Sequence, residues 1–417
     1  MLTLVILPGL KWSLSYRSIF HGCGEHDGLV IAADVDVSPD FQRRAMVDAW
    51  NKDKAPGRRA TLVEIARSTD ATRSQLAAAL ASGSCAYDVL LVDTAWFPEY
   101  AQRGFLAEIK SSWLDEPSDF IPQIMKTGQW HERQYAVPWF TDAGLLYVRR
   151  GEAAPSTWDE LLRQGYATQL KNYEGLTVNA LEVIWNTQRR TVLSDAIDSV
   201  DENIARVVLQ GLEELAGGGA ALSGSRAYGE SESIEAFIGG QAFMRNWPYA
   251  FRELTADPRI RTDFAVKSLP EPLRLSVLGG WHLAVSAHSR HQDEAVELIR
   301  FLTSATTQRE LFHCGGFTPS RVSAFTDPKP CSDPKYSQDE QPSPEQFREF
   351  ATTLQAALFN ARPRPVTPYY AQFSETFRGC VVQVLNAHAG LPGASRPTPH
   401  KLSVALTDAL RGRHGSC

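Results

Sequence analysis

The sequence predicts an α/β protein with two lobes. Its 417 residues exceed what one ordinary hydrophobic core organises, and 43% hydrophobic with 22% charged residues is the composition of a globular chain. Short apolar segments that favour strands alternate with segments of helical periodicity. Such alternation is typical of parallel or mixed sheets covered by helices.

The first part of the chain predicts three strands. They are LVIAADVDV, RATLVEIA and YDVLLVD, and the helical segments PDFQRRAMVDAWNK and SQLAAALASG separate them, the second ended by Gly83. Asp93 ends the third strand, at the edge of the sheet where ligands bind in such proteins. Its alternative role is to cap the helix predicted in PEYAQRGF.

The rest of the chain predicts a second α/β set. Thr157 and Glu160 form a capping box in PSTWDELL, and Ser289 and Gln292 predict another before a later helix. GGQAFMRNWPYAF and LGGWHLAVS predict strands, and 328–344 predicts a loop. Two closing helices should bury apolar faces, which comprise Phe373, Phe377, Val381 and Val384 in one and Leu402, Ala405, Leu406, Ala409 and Leu410 in the other.

One carboxylate, Asp142, interrupts the apolar segment QYAVPWFTDAGLLYVRR. An unpaired carboxylate loses its hydration inside a protein, so Asp142 either has a partner or faces an opening. Trp139 and Phe140 precede it and favour an opening, because a cleft for a polar ring compound needs flat faces beside hydrogen-bond acceptors.

Several function classes lack support. The net charge of −6 gives no basic surface for nucleic acid. No phosphate-binding, dinucleotide-binding, zinc-protease or serine-hydrolase motif occurs, and the six cysteines have no zinc-site spacing. We therefore expect no cofactor and no metal. No run of about eighteen apolar residues predicts a membrane-spanning helix.

Aromatic and polar residues recur instead at predicted strand ends. Carboxylates accept hydrogen bonds from sugar hydroxyls, arginine donates them, and indole rings cover the apolar face of a pyranose. This combination indicates a carbohydrate ligand. The groups are Asp93 with Trp96, Trp139 and Phe140 with Asp142, Asn246 with Trp247, Gly280 with Trp281, and Arg362 with Arg364.

The chain resembles the sugar-binding lipoproteins of bacterial ABC importers, the extracellular solute-binding proteins, and especially their trehalose/maltose-binding branch. Seven segments carry the resemblance in order: YDVLLVDTAWFPEYAQRGFLAEI, YAVPWFTDAGLLYVRR, PSTWDELL, YEGLTVNALEVIW, AFMRNWPYAF, LGGWHLAVS with EAVELIRFLTS, and RPVTPYYAQFSE. The resemblance implies a type II, maltose-binding-protein-like fold in which hinge strands join the lobes around a ligand cleft. It implies a leader in 1–26, one lobe from 27–139 with 284–325, and a second from 140–283 with 326–417.

The resemblance also implies function. The chain would be the substrate-binding component of an importer, a monomer without catalytic activity that binds a di- or oligosaccharide and is recognised by the permease subunits. Phe140 stands where close relatives often have Tyr, so one hydroxyl contact is lost. The implied ligand contacts are Arg73, Asp93, Phe140, Asp142, Trp247, Gly280, Trp281 and Arg364.

The cysteines bear on location. Cys23, in HGCGEHDG, resembles the lipid-bearing first residue of a mature lipoprotein, which predicts an extracellular protein whose membrane contact is a lipid anchor; a plain thiol is the alternative. The apolar start of the chain has the length of a signal-peptide core, but no basic residue precedes it. Cys314 and Cys331 predict a disulfide in an oxidising compartment, or otherwise two thiols.

Two other functions remain open at this level. A sensor could keep the binding fold without secretion or transport, which the atypical leader favours. A glycoside hydrolase could use Asp93 and Asp142, or Glu182, as its pair of carboxylates.

Overall fold

The computed structural model describes residues 27–66, 68–325, 331 and 341–417. Cys23, the predicted lipidation site, lies outside these residues, and so does most of the loop predicted in 328–344. Within the described residues no helix has the length and apolar character needed to cross a membrane.

The strands are distributed along the described chain from Leu29 to Arg362. In order they are β1 Leu29–Ala33, β2 Ala60–Glu64, β3 Val89–Asp93, β4 Gln129–Trp130, β5 Arg133–Gln134, β6 Ala136–Asp142, β7 Leu145–Arg149, β8 Phe243–Asn246, β9 Phe264–Lys267, β10 Ser276–Val277, β11 Gly279–Val285, β12 Thr318–Pro319 and β13 Ala361–Arg362.

The helices surround these strands and form most of the second half. They are α1 Gln42–Asn51, α2 Thr69–Ala81, α3 Phe97–Gln102, α4 Pro122–Met125, α5 Trp158–Gln164, α6 Glu174–Thr187, α7 Glu202–Gly217, α8 Glu230–Ile238, α9 Ala250–Ala256, α10 Gln292–Leu302, α11 Ala305–Gly315, α12 Pro344–Phe359, α13 Tyr370–His388 and α14 Pro399–Leu410.

Two sheets organise the described chain. The larger has six strands in the order β12-β6-β11-β3-β1-β2, in which β1 runs parallel to β2 and β3, and β11 runs antiparallel to β3 and β6. The smaller places β7 between β8 and β9, antiparallel to both. The chain therefore leaves the large sheet after β6 and returns to it at β11. The predicted lobe boundaries at 139/140 and 283/284 fall within these two strands.

The predicted elements of the first part are confirmed. The three predicted strands are β1, β2 and β3, and all five residues of β3 are buried, as their apolar character requires. The Thr157 and Glu160 capping box is present at the start of α5. The predicted faces of the two closing helices are buried, and α13 and α14 pack against α7.

The predicted box of Ser289 and Gln292 is wrong. His291 precedes α10 without a side-chain cap. Ser289 instead donates from Oγ to the carboxylate of Asp88, 2.6 Å away, and accepts from the backbone N–H of His291. A buried carboxylate binds a hydroxyl more strongly than an exposed helix end does, so the tertiary partner prevails over the local one.

Two disulfides join described cysteines. Cys314 is bonded to Cys331, which confirms the predicted pair, and Cys380 is bonded to Cys417. Disulfides persist in oxidising compartments, so this chemistry suits a protein that works outside the cytoplasm.

Candidate ligand-binding site

Three adjacent strands bring the predicted residues to one edge of the large sheet. In the register between β3 and β11, Asp93 lies opposite Trp281. In the register between β11 and β6, Trp281 lies opposite Phe140, and Gly279 lies opposite Asp142. Strand ends remote in sequence thus meet, as expected for ligand sites in such sheets.

Gly280 allows this edge to be tight. Its φ is +132°, and a Cβ there would lie 2.7 Å from the Phe140 carbonyl oxygen and 2.7 Å from the Cα of Thr141. A side chain would therefore force β6 and β11 apart. The Gly280 carbonyl accepts hydrogen bonds from the backbone N–H of Thr94, at 3.0 Å, and from its hydroxyl, at 2.8 Å.

A cavity of about 630 Å³ opens over this edge, a size typical of small-molecule sites. Residues around the smaller sheet form its other wall. Its aromatic lining consists of Phe140, Tyr173, Trp247, Tyr249, Trp281 and Phe317, and its carboxylates are Asp34, Asp70, Asp93, Asp142, Glu174, Glu230 and Glu232.

Arg364 connects the two walls. Its Nη2 donates to Oδ1 of Asp93 at 2.8 Å, and its Nη1 donates to Oε1 of Glu174 at 2.8 Å. Glu174 also accepts from the hydroxyls of Tyr370, at 2.5 Å, and Ser374, at 2.6 Å. Burial raises the pKa of Asp93, although Arg364 acts in the opposite direction. This ion-pair system fixes the carboxylate of Asp93 at the cavity wall.

Asp142 has different surroundings. Among the described residues its carboxylate has no hydrogen bond and no ion pair, and it faces the cavity. Burial raises its pKa well above the usual range, and the charge of Asp93 acts in the same direction. Of the two roles that its sequence context allowed, Asp142 therefore takes the second, since it faces an opening.

Trp247 is supported from outside the cavity. The guanidinium of Arg245 lies 4.0 Å from its ring centroid, and that guanidinium is paired with Glu182 at 2.6 Å. Both members of this ion pair are fully buried. Glu182 thus serves the packing behind Trp247 and does not line the cavity.

Arg73 is the one predicted contact that the structure leaves outside this group. It does not line the cavity, because Glu99 binds its guanidinium through two donors, Nε at 2.8 Å and Nη2 at 2.7 Å. The Tyr100 hydroxyl also donates a hydrogen bond to the backbone carbonyl of Arg73, at 2.9 Å. The other seven predicted residues all line the cavity.

Sequence reasoning missed several lining groups. Glu174 and Tyr249 lie within segments that carried the family resemblance, so those segments contained a usable signal. Arg43 lies in the predicted helix α1, and Glu230 is the first residue of α8, which the sequence analysis did not predict. Charged residues are ordinary at such positions. No local signal separates them from surface charges.

Comparisons with known proteins agree on one family. The family model described as bacterial extracellular solute-binding protein matches residues 39–309. A probable ABC transporter-binding protein of Deinococcus radiodurans is 30% identical over 387 residues, which covers 84% of this chain and 87% of that protein.

Solved structures show the same fold. A maltose-bound protein of T. maritima matches with a TM-score of 0.75 and 24% identity, over 92% of this chain and 99% of that one. A solute-binding protein of Thermotoga lettingae bound with alpha-D-tagatose matches with a TM-score of 0.73 and 20% identity, over 92% and 100%. The fold is the predicted type II arrangement, two α/β lobes with a ligand cleft between them.

Proposed function

We propose that this chain, which belongs to the family of bacterial extracellular solute-binding proteins, binds a di- or oligosaccharide between its two lobes. One observation carries the proposal: aromatic faces and carboxylates converge on a single cavity of about 630 Å³. Sugars need both, because their hydroxyls require hydrogen-bond partners and their ring faces are apolar.

The family fixes the general role. The chain is the substrate-binding component of an ABC transporter, which binds a small molecule and interacts with permease subunits. It is a binding protein and not an enzyme, so the hydrolase alternative is wrong. Glu182, one of the carboxylates that this alternative requires, is bound to Arg245 and lies outside the cavity.

Each wall residue receives a proposed role. Asp93 and Asp142 accept hydrogen bonds from sugar hydroxyls, and Arg364 orients Asp93. Phe140, Trp247 and Trp281 cover the ring faces. Gly280 gives the sugar close access to the backbone of the sheet edge, where a side chain would collide with Phe140.

Closure of the lobes is the proposed mechanism. We assign 27–139 with 284–325 to one lobe and 140–283 with 326–417 to the other, so that β6 and β11 act as hinge strands. The ligand shifts the open and closed populations, because the closed form alone makes contacts from both walls. The permease subunits then recognise the closed form of a monomer, attached to the membrane through a lipid on Cys23.

The solved relatives support a carbohydrate ligand, since maltose and tagatose occupy two of them. The lining supports something larger than a monosaccharide. The cavity that it encloses measures about 630 Å³, and three aromatic residues of the predicted set belong to it.

A thermal-shift screen with calorimetry on each hit tests the proposal. The ligands are trehalose, maltose, maltodextrins, sucrose, cellobiose, monosaccharides, and amino acids as the non-sugar class. A ligand at a hundredfold its Kd adds about 2.7 kcal/mol of stability, which a melting curve resolves. A disaccharide or longer sugar should give such a shift. Stabilisation by amino acids alone would overturn the carbohydrate assignment.

A further inference from the structure

The charges around the cavity are unbalanced. Among the described residues, seven carboxylates but three cations line it. Arg43 is paired with Asp34 at 2.6 Å, and Arg364 is shared between two carboxylates. The third cation, Lys171, is exposed to solvent. The cavity therefore has a surplus of carboxylates that its own cations do not neutralise.

The surplus is concentrated on Asp142 and Glu230. Neither has an ion pair among the described residues. Arg245, a cation whose charge acts on both carboxyl groups, is already bound to Glu182 through both Nε and Nη2. Burial raises the pKa of both carboxyl groups above their ordinary values. Each would gain stability from a positive charge supplied by a ligand.

These two carboxylates lie around the same aromatic group. A Cβ added at Gly279 would contact both the Asp142 Cβ, at 3.2 Å, and the Trp247 ring, at 3.4 Å, so these two side chains are neighbours. Glu230 lies close to this group, because its backbone carbonyl accepts a hydrogen bond at 3.2 Å from Nδ2 of Asn246, the residue before Trp247. It also lines the same cavity as Trp247 and Tyr249.

Tyr249 supplies an independent sign of a ligand. Its side chain is 7% exposed and lines the cavity, yet its hydroxyl has no hydrogen-bond partner in the described part of the chain. A buried hydroxyl without a partner costs free energy, which a polar ligand group would recover. The cavity wall therefore also contains a phenol oxygen, that of Tyr249, which can accept a hydrogen bond from a ligand.

A neutral sugar meets only part of this demand. Hydroxyls replace the hydrogen bonds that the carboxylates lose with their water, but they bring no charge. An ammonium group brings both, since its N–H groups donate to carboxylate and phenol oxygens and aromatic rings attract cations. Trp247 and Tyr249 provide these rings beside the two carboxylates.

We propose that the saccharide bound by this chain carries a protonated amine, which lies between Asp142 and Glu230 beside Trp247 and Tyr249. This proposal rests on the carbohydrate function proposed above and adds the chemical class of the sugar. The aromatic faces of Phe140 and Trp281 then pack against the uncharged rings of the saccharide.

Matched sugars test the amine directly. In one series, the disaccharide of glucosamine is compared by calorimetry at pH 7 with its N-acetylated form and with cellobiose, which share its linkage. In the other, maltose in which a primary amine replaces one primary hydroxyl is compared with maltose itself. In the series whose linkage the cavity accepts, the amine should bind at least tenfold tighter, and added salt should reduce the difference.

Isosteric variants locate the effect. Asp142→Asn and Glu230→Gln keep the size of each side chain, and each should remove most of the amine's affinity advantage over its neutral partner, because the amine loses a charge partner that the neutral sugar does not use. Glu235→Gln is the matched control, because Glu235 is on the same helix as Glu230 but is exposed and outside the cavity. It should leave the preference unchanged.

The outcomes separate this inference from the function beneath it. Neutral sugars that bind as tightly as their amines, or an amine preference that survives both variants, would overturn the amine and leave the carbohydrate standing. Binding of no sugar in either series, with stabilisation by a non-sugar solute, would overturn both.

Discussion

Glu182 is fully buried and Asp142 is partly buried, and the two carboxyl groups have opposite surroundings. Glu182 accepts four hydrogen bonds, from Nε and Nη2 of Arg245 at 2.8 and 2.6 Å and from the hydroxyl of Ser276 and the N–H of Val277 at 3.0 Å. Asp142 accepts none from the described residues. The protein thus satisfies a carboxylate completely where that carboxylate supports the fold, and leaves one without donors from the described residues in the cavity where we propose that the ligand binds.

Replacement of Glu182 and replacement of Asp142 should therefore have different effects. Loss of a fully paired carboxylate leaves Arg245 as an uncompensated buried charge. Loss of Asp142 deprives no donor of the described residues of its partner. The first change should reduce stability, and the second should reduce affinity.

The largest expected effect is on stability. Glu182→Ala should destabilise the protein by about 3–5 kcal/mol, because an unpaired guanidinium remains in a dry interior. Denaturant unfolding monitored by circular dichroism measures it. The matched variant Asp142→Ala should unfold at the wild-type midpoint or above it. Equal destabilisation of the two variants would show that Glu182 and Asp142 do not differ in their contribution to stability.

Next in size is the effect on affinity. Asp142→Ala and Trp281→Ala should each weaken sugar binding at least tenfold, which corresponds to about 1.4 kcal/mol, while the melting temperature without ligand stays nearly unchanged. Calorimetric titration gives both affinities. Wild-type affinity in both variants would show that the sugar binds elsewhere.

A smaller effect should appear in the pH dependence of stability. The folded-state pKa of Asp142 is raised, so between the ordinary value, about 3.9, and the raised value the folded protein holds a proton that the unfolded chain releases. Stability without ligand should therefore fall as pH rises through this interval. Urea unfolding of wild type and Asp142→Asn compares the two, and the variant should lose less stability. If the difference in unfolding free energy between the two proteins does not change with pH, this reasoning is wrong.

The smallest effect should come from Arg73. Arg73→Gln should change sugar affinity less than twofold, because its guanidinium is held by Glu99 outside the cavity. Stability should fall by at most about 1 kcal/mol, since the pair is partly exposed and Arg103 still contacts Glu99 at 3.1 Å. A tenfold loss of affinity in this variant would place Arg73 in the binding site.

Sequence patterns predicted the sheet edge well. Asp93, Asp142 and Trp281 were identified because each follows or begins an apolar strand, and parallel or mixed sheets bring such ends together. The period of the apolar residues likewise located the buried faces of the closing helices. These features depend on local sequence and on general rules of sheet topology.

Features that depend on tertiary pairing were not predictable. Nothing local shows that Glu182 meets Arg245, 63 residues away, or that Ser289 binds Asp88 instead of capping α10. Arg364 is 271 residues from Asp93. The helix α12 is a different case, because local sequence marks its start: Ser343 and Gln346 form a capping box around Pro344. Charge pairing over such separations is decided by the fold as a whole.

A crystal structure of the protein with its tightest-binding sugar from the screen tests the central claim most directly. We expect the sugar in the cavity, with one of its polar groups within hydrogen-bond distance of the Asp142 carboxylate and a ring face against Trp281. Glu182 should keep its contacts with Arg245 unchanged. A sugar bound without contact to Asp142, or a Glu182 that leaves Arg245 to reach the ligand, would contradict the account.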